Sequence, residues 1–367
     1  MADPTPQERR ILEELRDNPF LSQMDLAKRL RISRSTVASH VRSLQTKGHI
    51  EGRAYVLVTP QDAVLCVGGI NTDITFRLAT SFIAGTSNIG SATDSPGGVA
   101  RNVAEAIAST GTNVILVGPI GDDNRGRDVI RATSAAGVDC TAVTTHAGAP
   151  TGTYTAVIDP TGGLVVGLSD MRILDSITWE SLRVGSHLVR QASWMFIDAN
   201  LPQQVAEAAI GAAGPAGVPI AADAVSIQKA SRFAGLRFDL VFCNVDEAAV
   251  LLGRKKISTD NAARALVELG HGAAVVTHGP EGASWANTQG SGHCPAINTV
   301  HGDVTGAGDA LIAGTLVGLN RGENLGGAVT LGTKLASLAL GRAGASSAAL
   351  QARTPAHSDT SSKKENP

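Results

Sequence analysis

The sequence predicts an α/β domain with a mostly parallel sheet, preceded by a small helical module. Three observations point there. From Ala63 onward, short apolar runs ending in polar or glycine residues alternate with stretches of helical periodicity, the pattern of a parallel sheet covered by helices. Before Ala63, apolar residues recur at helical spacing in three successive segments, and the charge balance differs. Glycine is abundant at 41 residues while aromatics make up 3%, which suits a glycine-looped enzyme better than an aromatic platform for RNA.

Composition narrows the class. The 367 residues are 43% hydrophobic and 17% charged, with a formal charge of −2. The length allows two domains, or one large and one small. So high an apolar content at so low a net charge excludes wholesale disorder. Cys66, Cys140, Cys243 and Cys294 lie far apart without a CxxC pair, so neither a disulfide scaffold nor a zinc finger is expected. No apolar run approaches the ~20 residues of a membrane span, and the N-terminus lacks the apolar stretch of a signal peptide. A cytoplasmic location without a membrane partner is therefore expected.

Residues 1–60 hold ten Lys or Arg against seven acids, so this segment is +3 and the remainder −5. A basic front on a mildly acidic body suggests that the front meets a polyanion. Ile11, Leu12 and Leu15 mark a first helix, which Asn18-Pro19 stops. Ser22 caps a second, carrying Leu26, Ala27 and Leu30. Ser33 caps a third, in which Val37, Val41 and Leu44 form the apolar stripe and which Gly48 ends. Residues 50–58 then alternate as a β-wing would. Arg34, Ser35, Thr36, Ser39, His40 and Arg42 occupy the other face of the third helix, with Arg53 in the wing. Short donors let the backbone approach phosphates, and arginine can read a guanine edge. Double-stranded DNA is thus the expected partner of residues 1–60; the alternative is a module that only packs against the body or a partner. The stretch Leu21–Arg53 resembles the winged helix-turn-helix of bacterial transcription regulators, particularly the form fused in front of sugar kinases. Only five residues, Thr59 to Ala63, separate Val58 from Val64, so mechanical coupling of head and body is expected.

In the body, strands are expected at Val64–Val67, Val114–Val117, Trp194–Asp198, Pro219–Asp223, Leu240–Asn244 and Ala273–Thr277. Helices are expected at Val99–Thr110, Asn261–Leu269 and Ala307–Asn320. Thr153–Ile158 and Leu164–Leu168 flank the turn Asp159-Pro160-Thr161-Gly162-Gly163, a hairpin signal, with Phe76–Leu78 as a further strand. Together they read as a small β-lid around 74–95 and 150–170 that excludes water during reaction, or as an edge hairpin without that motion.

Four glycine-bearing motifs carry chemistry. In His301-Gly302-Asp303-Val304-Thr305-Gly306-Ala307-Gly308-Asp309, glycines at a loop-to-helix junction leave backbone N–H groups to face an anion. Asp309, beside that anion hole, is suited to accept a proton from an attacking hydroxyl, or it stabilises the helix N-terminus. Gly97 and Gly98 open another helix one turn before Arg101 and Asn102. They allow close approach of a sugar, whose hydroxyls Asn102 can both donate to and accept from. Asn71-Thr72-Asp73 follows the first strand, where an open α/β sheet presents its ligand crevice. Asn244 and Glu247, at a strand end, could hold hydrated Mg²⁺. Thr277-His278-Gly279-Pro280-Glu281-Gly282 suits nucleotide phosphates.

Together these motifs resemble the ribokinase-like sugar kinase family, also called PfkB, over roughly Ala63 to Ala345. The resemblance implies a three-layer sandwich over 63–350 and a phosphotransferase acting on an alcohol. Asp309 would be the catalytic base, with Gly306, Ala307 and Gly308 as the anion hole. Asn71, Asp73, Gly97, Gly98, Arg101 and Asn102 would meet the sugar, with Arg101 on a phosphate or paired to Glu105. Thr277, Gly279, Gly282, Thr305, Lys229 and Asn244 would serve ATP, and Asn244 with Glu247 would organise Mg²⁺. A monovalent cation such as K⁺ is left open, and a homodimer is expected. His278 departs from the family, which more often has an apolar residue there. Gly-Gly-Val-Ala-Arg-Asn at 97–102, Ser169-Asp170-Met171-Arg172-Ile173, Asp198-Ala199-Asn200 and Asp223-Ala224-Val225-Ser226 with Lys229 are similar to the pseudouridine kinase subgroup. Asp170 would bind a pyrimidine imide N–H, or cap a turn. A transcription factor that uses the fold only to sense a sugar or nucleoside is the rival reading. In a third, an active kinase carries the head purely for dimerisation. Residues 354–367 read as a disordered tail.

Overall fold

The computed structural model describes residues 3–18, 21–51, 56–57, 63–297 and 306–340. The expectations for Arg53, residues 58–62, His301 to Thr305 and the 354–367 tail lie outside them.

Three short helices open the chain, Pro6–Asp17, Gln23–Leu30 and Arg34–Thr46, followed by an antiparallel strand pair, Ile50–Glu51 and Val56–Leu57. Each helix starts where local chemistry stops its N-terminal N–H groups going unpaired. Thr5 with Glu8 and Ser22 with Asp25 form reciprocal capping boxes, and Ser33 accepts from the Thr36 amide. Ile11, Leu15, Leu26, Val37 and Leu44 are fully buried in a core of their own.

The body is built on an eight-stranded sheet. Its strand order is Gly290–Cys294, Ala283–Asn287, Ala273–Thr277, Leu240–Asn244, Ile220–Asp223, Ala192–Asp198, Ala63–Val67 and Val114–Val117. Six strands are parallel, and the hairpin at one edge is antiparallel. Alternate residues feed opposite layers. Leu65, Val67, Met195, Ile197, Val241 and Val276 pack on one side with helices Gln203–Ala216 and Thr259–Glu268. Val64, Cys66, Phe196, Phe242 and Val275 pack on the other with helices Val99–Ala108, Ala307–Asn320 and Leu325–Ala339. This is the expected three-layer arrangement.

A second sheet has the order Leu164–Asp170, Gly152–Ile158, Asn71–Leu78, Gly90–Gly97. The expected hairpin is present, with its second strand running two residues further. The expected Phe76–Leu78 strand is the end of a longer one that begins at Asn71. Gly90–Gly97 was not foreseen: its residues Gly90 to Asp94 are exposed and polar or small, so no apolar alternation betrays the strand. The hairpin of Ala283–Asn287 and Gly290–Cys294 is also unexpected: its first strand is largely buried but built of small residues around Trp285, and its second is mostly exposed. Helix Thr259–Glu268 starts two residues before the expected Asn261, after Ser258 in extended conformation.

Candidate active site

The parallel strands place a row of polar residues along one edge of the main sheet. Asp198 is in register with Asp223, and Asn244 with Thr277. Strand direction alone puts these chain-distant residues at the same, C-terminal end.

Asp198 organises the first part of the row. Its side chain is fully buried, and one carboxylate oxygen accepts from the Gly69 amide at 2.8 Å and the Ala100 amide at 2.9 Å. Its other oxygen accepts from the Asn200 amide at 2.9 Å. One carboxylate thereby pins the Gly68-Gly69 turn to the start of helix Val99–Ala108. A Cβ on Gly98, at φ 105°, would lie 2.3 Å from the Gly69 carbonyl oxygen, so only glycine permits this approach. In the sequence Asp198 carries no role of its own beyond the Asp198-Ala199-Asn200 run; an acid ending an apolar strand is its local signal.

Around that turn the predicted acceptor-side residues gather. Asn71 donates to Asp73 at 2.6 Å, and a Cβ on Gly97 would come within 2.4 Å of the Asp73 carboxylate. Arg101 is 1% exposed and pairs with Glu105, one turn on in the same helix. The guanidinium also donates to Thr133 at 3.1 Å, to the Pro96 carbonyl at 3.2 Å and to the Asn102 side-chain oxygen at 2.7 Å. Asn102, its amide oriented by that bond, donates to Asp309 at 2.8 Å. Arg101 thus reaches the centre through Asn102, because its own donors are spent in the core.

Asp309 stands in the first turn of helix Ala307–Asn320, whose N-cap Gly306 has φ 80°. No side-chain hydrogen bond caps this helix among the described residues. Burial pushes the Asp309 carboxyl up to about 7, aided by the charges of Asp198 and Asp73 and opposed by the Asn102 hydrogen bond and Arg101. Burial likewise raises Asp73. Asp223 rises well above the ordinary carboxylate range, through burial and then through the charges of Glu247, Asp309 and Asp198.

The remaining predicted residues fall into two further groups. Asn244 caps helix Val245–Leu251, and its amide nitrogen and side chain donate to the two oxygens of Glu247, each at 2.8 Å. Thr277 ends the neighbouring strand, and the turn after it closes through a His278 amide bond to the Gly282 carbonyl at 3.0 Å. A Cβ on Gly282 would lie 2.2 Å from the Cys294 carbonyl oxygen. His278 turns outward and pairs with Glu281 at 2.9 Å.

Lys229, expected among the ATP residues, stands apart from this group. Its ammonium donates to Asn200, and both line a cleft of about 360 Å³ with Ser169, Asp170, Arg172 and Arg232. The reason is topological: Lys229 follows the strand Ile220–Asp223, next to the one that Asn200 follows. Asp170 meets the same cleft, held in a fork by Arg172 at 2.9 and 2.7 Å. Those hydrogen bonds bring its carboxyl down to about 2.

On the front helix Arg34–Thr46, Arg34, Ser35, Ser39 and Arg42 are exposed, and Thr36 and His40 are half-buried. The Ser35 and Thr36 hydroxyls each lie 2.7 Å from the Ser33 hydroxyl, at the helix start.

Among the described residues, no three His, Cys, Asp or Glu converge as metal ligands. The four cysteines are free thiols, and no described helix is long and apolar enough to cross a membrane.

Residues 5–51 match the family described as winged helix-turn-helix DNA-binding, and residues 61–353 match the pfkB family carbohydrate kinases. The uncharacterized sugar kinase YeiI of Escherichia coli is 35% identical over 225 residues, which are 61% of this chain and 61% of that protein. The pseudouridine kinase of Escherichia coli is 29% identical over 261 residues, 69% of this chain and 82% of that enzyme. A solved carbohydrate kinase from Agrobacterium tumefaciens superimposes with a TM-score of 0.67 at 29% identity, covering 76% of this chain and 90% of that one. With a ribokinase-like fold and the family pattern spanning most of its length, the chain belongs to the pfkB family of carbohydrate kinases, with a winged helix-turn-helix segment in front.

Proposed function

We propose that the protein transfers the γ-phosphoryl group of ATP to the primary hydroxyl of a ribose-bearing acceptor, with pseudouridine preferred. The observation that carries this reading is the Asp309 carboxyl, brought up to about 7 and bonded to Asn102 beside an N-terminal turn that no described side chain caps. A base whose pKa lies near the working pH is best matched to its task. Asp309 takes the hydroxyl proton, the freed oxygen bonds to the γ-phosphorus, and the bond to the departing ADP oxygen breaks. The N–H groups of Gly306, Ala307 and Gly308 face the charge on the migrating group. Asp73, Asn71 and Asn102 hold the sugar hydroxyls, and the small sheet covers them against water. Thr277, Gly279 and Gly282 flank the nucleotide.

Mg²⁺ fits the repulsion among Asp223, Glu247 and Asp309. Both Glu247 oxygens are already bonded to Asn244, so contact through metal-bound waters suits these residues. When bound, the ion neutralises phosphate charge.

Pseudouridine is favoured by the cleft of Asp170, Asn200, Lys229 and Arg232. A base bearing both N–H donors and carbonyl acceptors can add bonds to a carboxylate, an amide and two cations, for which plain ribose carries no such complementary edge. The test is ADP release from MgATP with pseudouridine, uridine, ribose, adenosine and fructose 6-phosphate. Strong turnover with pseudouridine is expected; turnover confined to another acceptor overturns the use of this cleft, and silence across the set overturns the kinase reading.

A second reading, a nucleoside-responsive regulator, draws on the exposed face of helix Arg34–Thr46. A homodimer would present two such faces to a two-fold symmetric duplex. Duplex affinity that changes with bound nucleoside favours it.

A further inference from the structure

A second cavity lies at the opposite end of the main sheet from the polar row. Leu240 and Ala273, the first residues of their parallel strands, line it together with Trp194. Its volume is about 240 Å³, below the roughly 300–1,000 Å³ usual for drug-sized ligands, which sizes it for a single heterocycle. Trp194 and Leu325 supply an apolar wall. Asp239, Asn287, Thr288 and Gln289 supply the polar rim.

Two rim groups are fixed by the fold. One oxygen of Asp239 accepts from the Ile220 amide at 2.8 Å, anchoring the carboxylate. The Asn287 side-chain oxygen accepts from the amides of Gln289 and Gly290 at 2.9 and 3.0 Å, so its NH₂ is the group left to offer a ligand. Among the described lining residues none is Lys, Arg or His, and Asp239 carries the one formal charge. A phosphate would meet a carboxylate with no cation to offset it. A flat, uncharged ring with an N–H edge for Asp239 and a carbonyl for Asn287 meets an aromatic wall and complementary polar groups.

We propose that this cavity binds an uncharged nucleobase, free or as part of a nucleoside, and rejects the corresponding nucleotide. The site is separate from the one that handles phosphoryl transfer. Its Trp194 is in register with Val64, on the strand through which the chain arrives from the front helices.

Calorimetric titration of the full chain without ATP tests this, using uracil, uridine, pseudouridine, adenosine, guanosine and the nucleoside 5′-monophosphates. At least one uncharged probe is expected to show a binding event that survives Asp73→Asn and is lost in Thr288→Trp, which fills the mouth from an exposed turn. The matching monophosphate should bind that site at least tenfold more weakly, and Asp239→Asn should narrow the gap. ADP release by Thr288→Trp should stay within twofold of the parent. The proposal fails if all binding disappears in Asp73→Asn, if all of it survives both Thr288→Trp and Asp239→Asn, if monophosphates bind equally well, or if no probe binds.

Discussion

At Asp309 two opposed influences meet: burial favours the neutral acid, while the Asn102 hydrogen bond favours the carboxylate. Because the ionised form is the base, kcat/KM should fall as pH drops through about 7. In Asn102→Leu the acid limb should move to higher pH, since a bond to the charged form is lost. Rate profiles from mildly acidic to mildly alkaline pH check both statements. Asp309→Asn should lower turnover by about 10²–10⁴-fold, the usual contribution of general-base catalysis. Gly97 offers a different handle. A methyl group there would sit on the Asp73 carboxylate, so Gly97→Ala should raise KM for the acceptor about tenfold or more. KM for ATP should stay within about twofold, because Thr277 and the turn after it lie across the sheet. Steady-state kinetics in both substrates separates the two.

At the scale of the element, helix Pro6–Asp17 is tied to the third helix by Glu8, 2% exposed, whose carboxylate meets Lys47 at 2.7 Å. Burial alone would raise Glu8, but hydrogen bonds from Lys47, Ser43 and Thr5 outweigh it and bring the group from 4.5 down to about 2. A depressed folded-state value means that the stabilisation is complete above the unfolded value and disappears as pH falls from about 4.5 towards 2. Native-state hydrogen exchange should therefore show protection of this helix weakening over that window. Glu8→Gln should cost about 2 kcal/mol near neutral pH and flatten the dependence. The Lys47–Glu8 contact went unnoticed in the sequence because its partners are 39 residues apart. The capping residues Ser22 and Ser33 were readable because a cap acts over three residues.

For the whole molecule, a basic face in front and a polar sheet edge behind divide the proposed work. If Arg34 and Arg42 meet duplex phosphates, Arg34→Ala with Arg42→Ala should weaken binding to a random duplex roughly tenfold or more. The double variant should also reduce the slope of log affinity against log salt by about two. ADP release should be unaffected. Fluorescence anisotropy over a salt series checks this. An unchanged slope would leave the head as a packing or dimerisation module.

Periodicity, caps and glycine placement are local properties, and they let the sequence by itself determine the parallel sheet, the three front helices and the helix that begins at Ala307. The Gly-Gly turn at 97–98 was legible because close approach there leaves room for nothing larger, and Gly306 because its φ of 80° favours glycine. What only the tertiary structure decided is which side chains share a point in space. It joined Asn102 to Asp309 across 207 residues and spent Arg101 inside the core. It also set Lys229 in the cleft of Asn200 and Asp170, and gave Asp198 three backbone amides to hold. Apart from the local Arg101–Glu105 pair, these depend on strand order and register, set by the packing of two apolar layers against one sheet, and no short window of sequence carries that information.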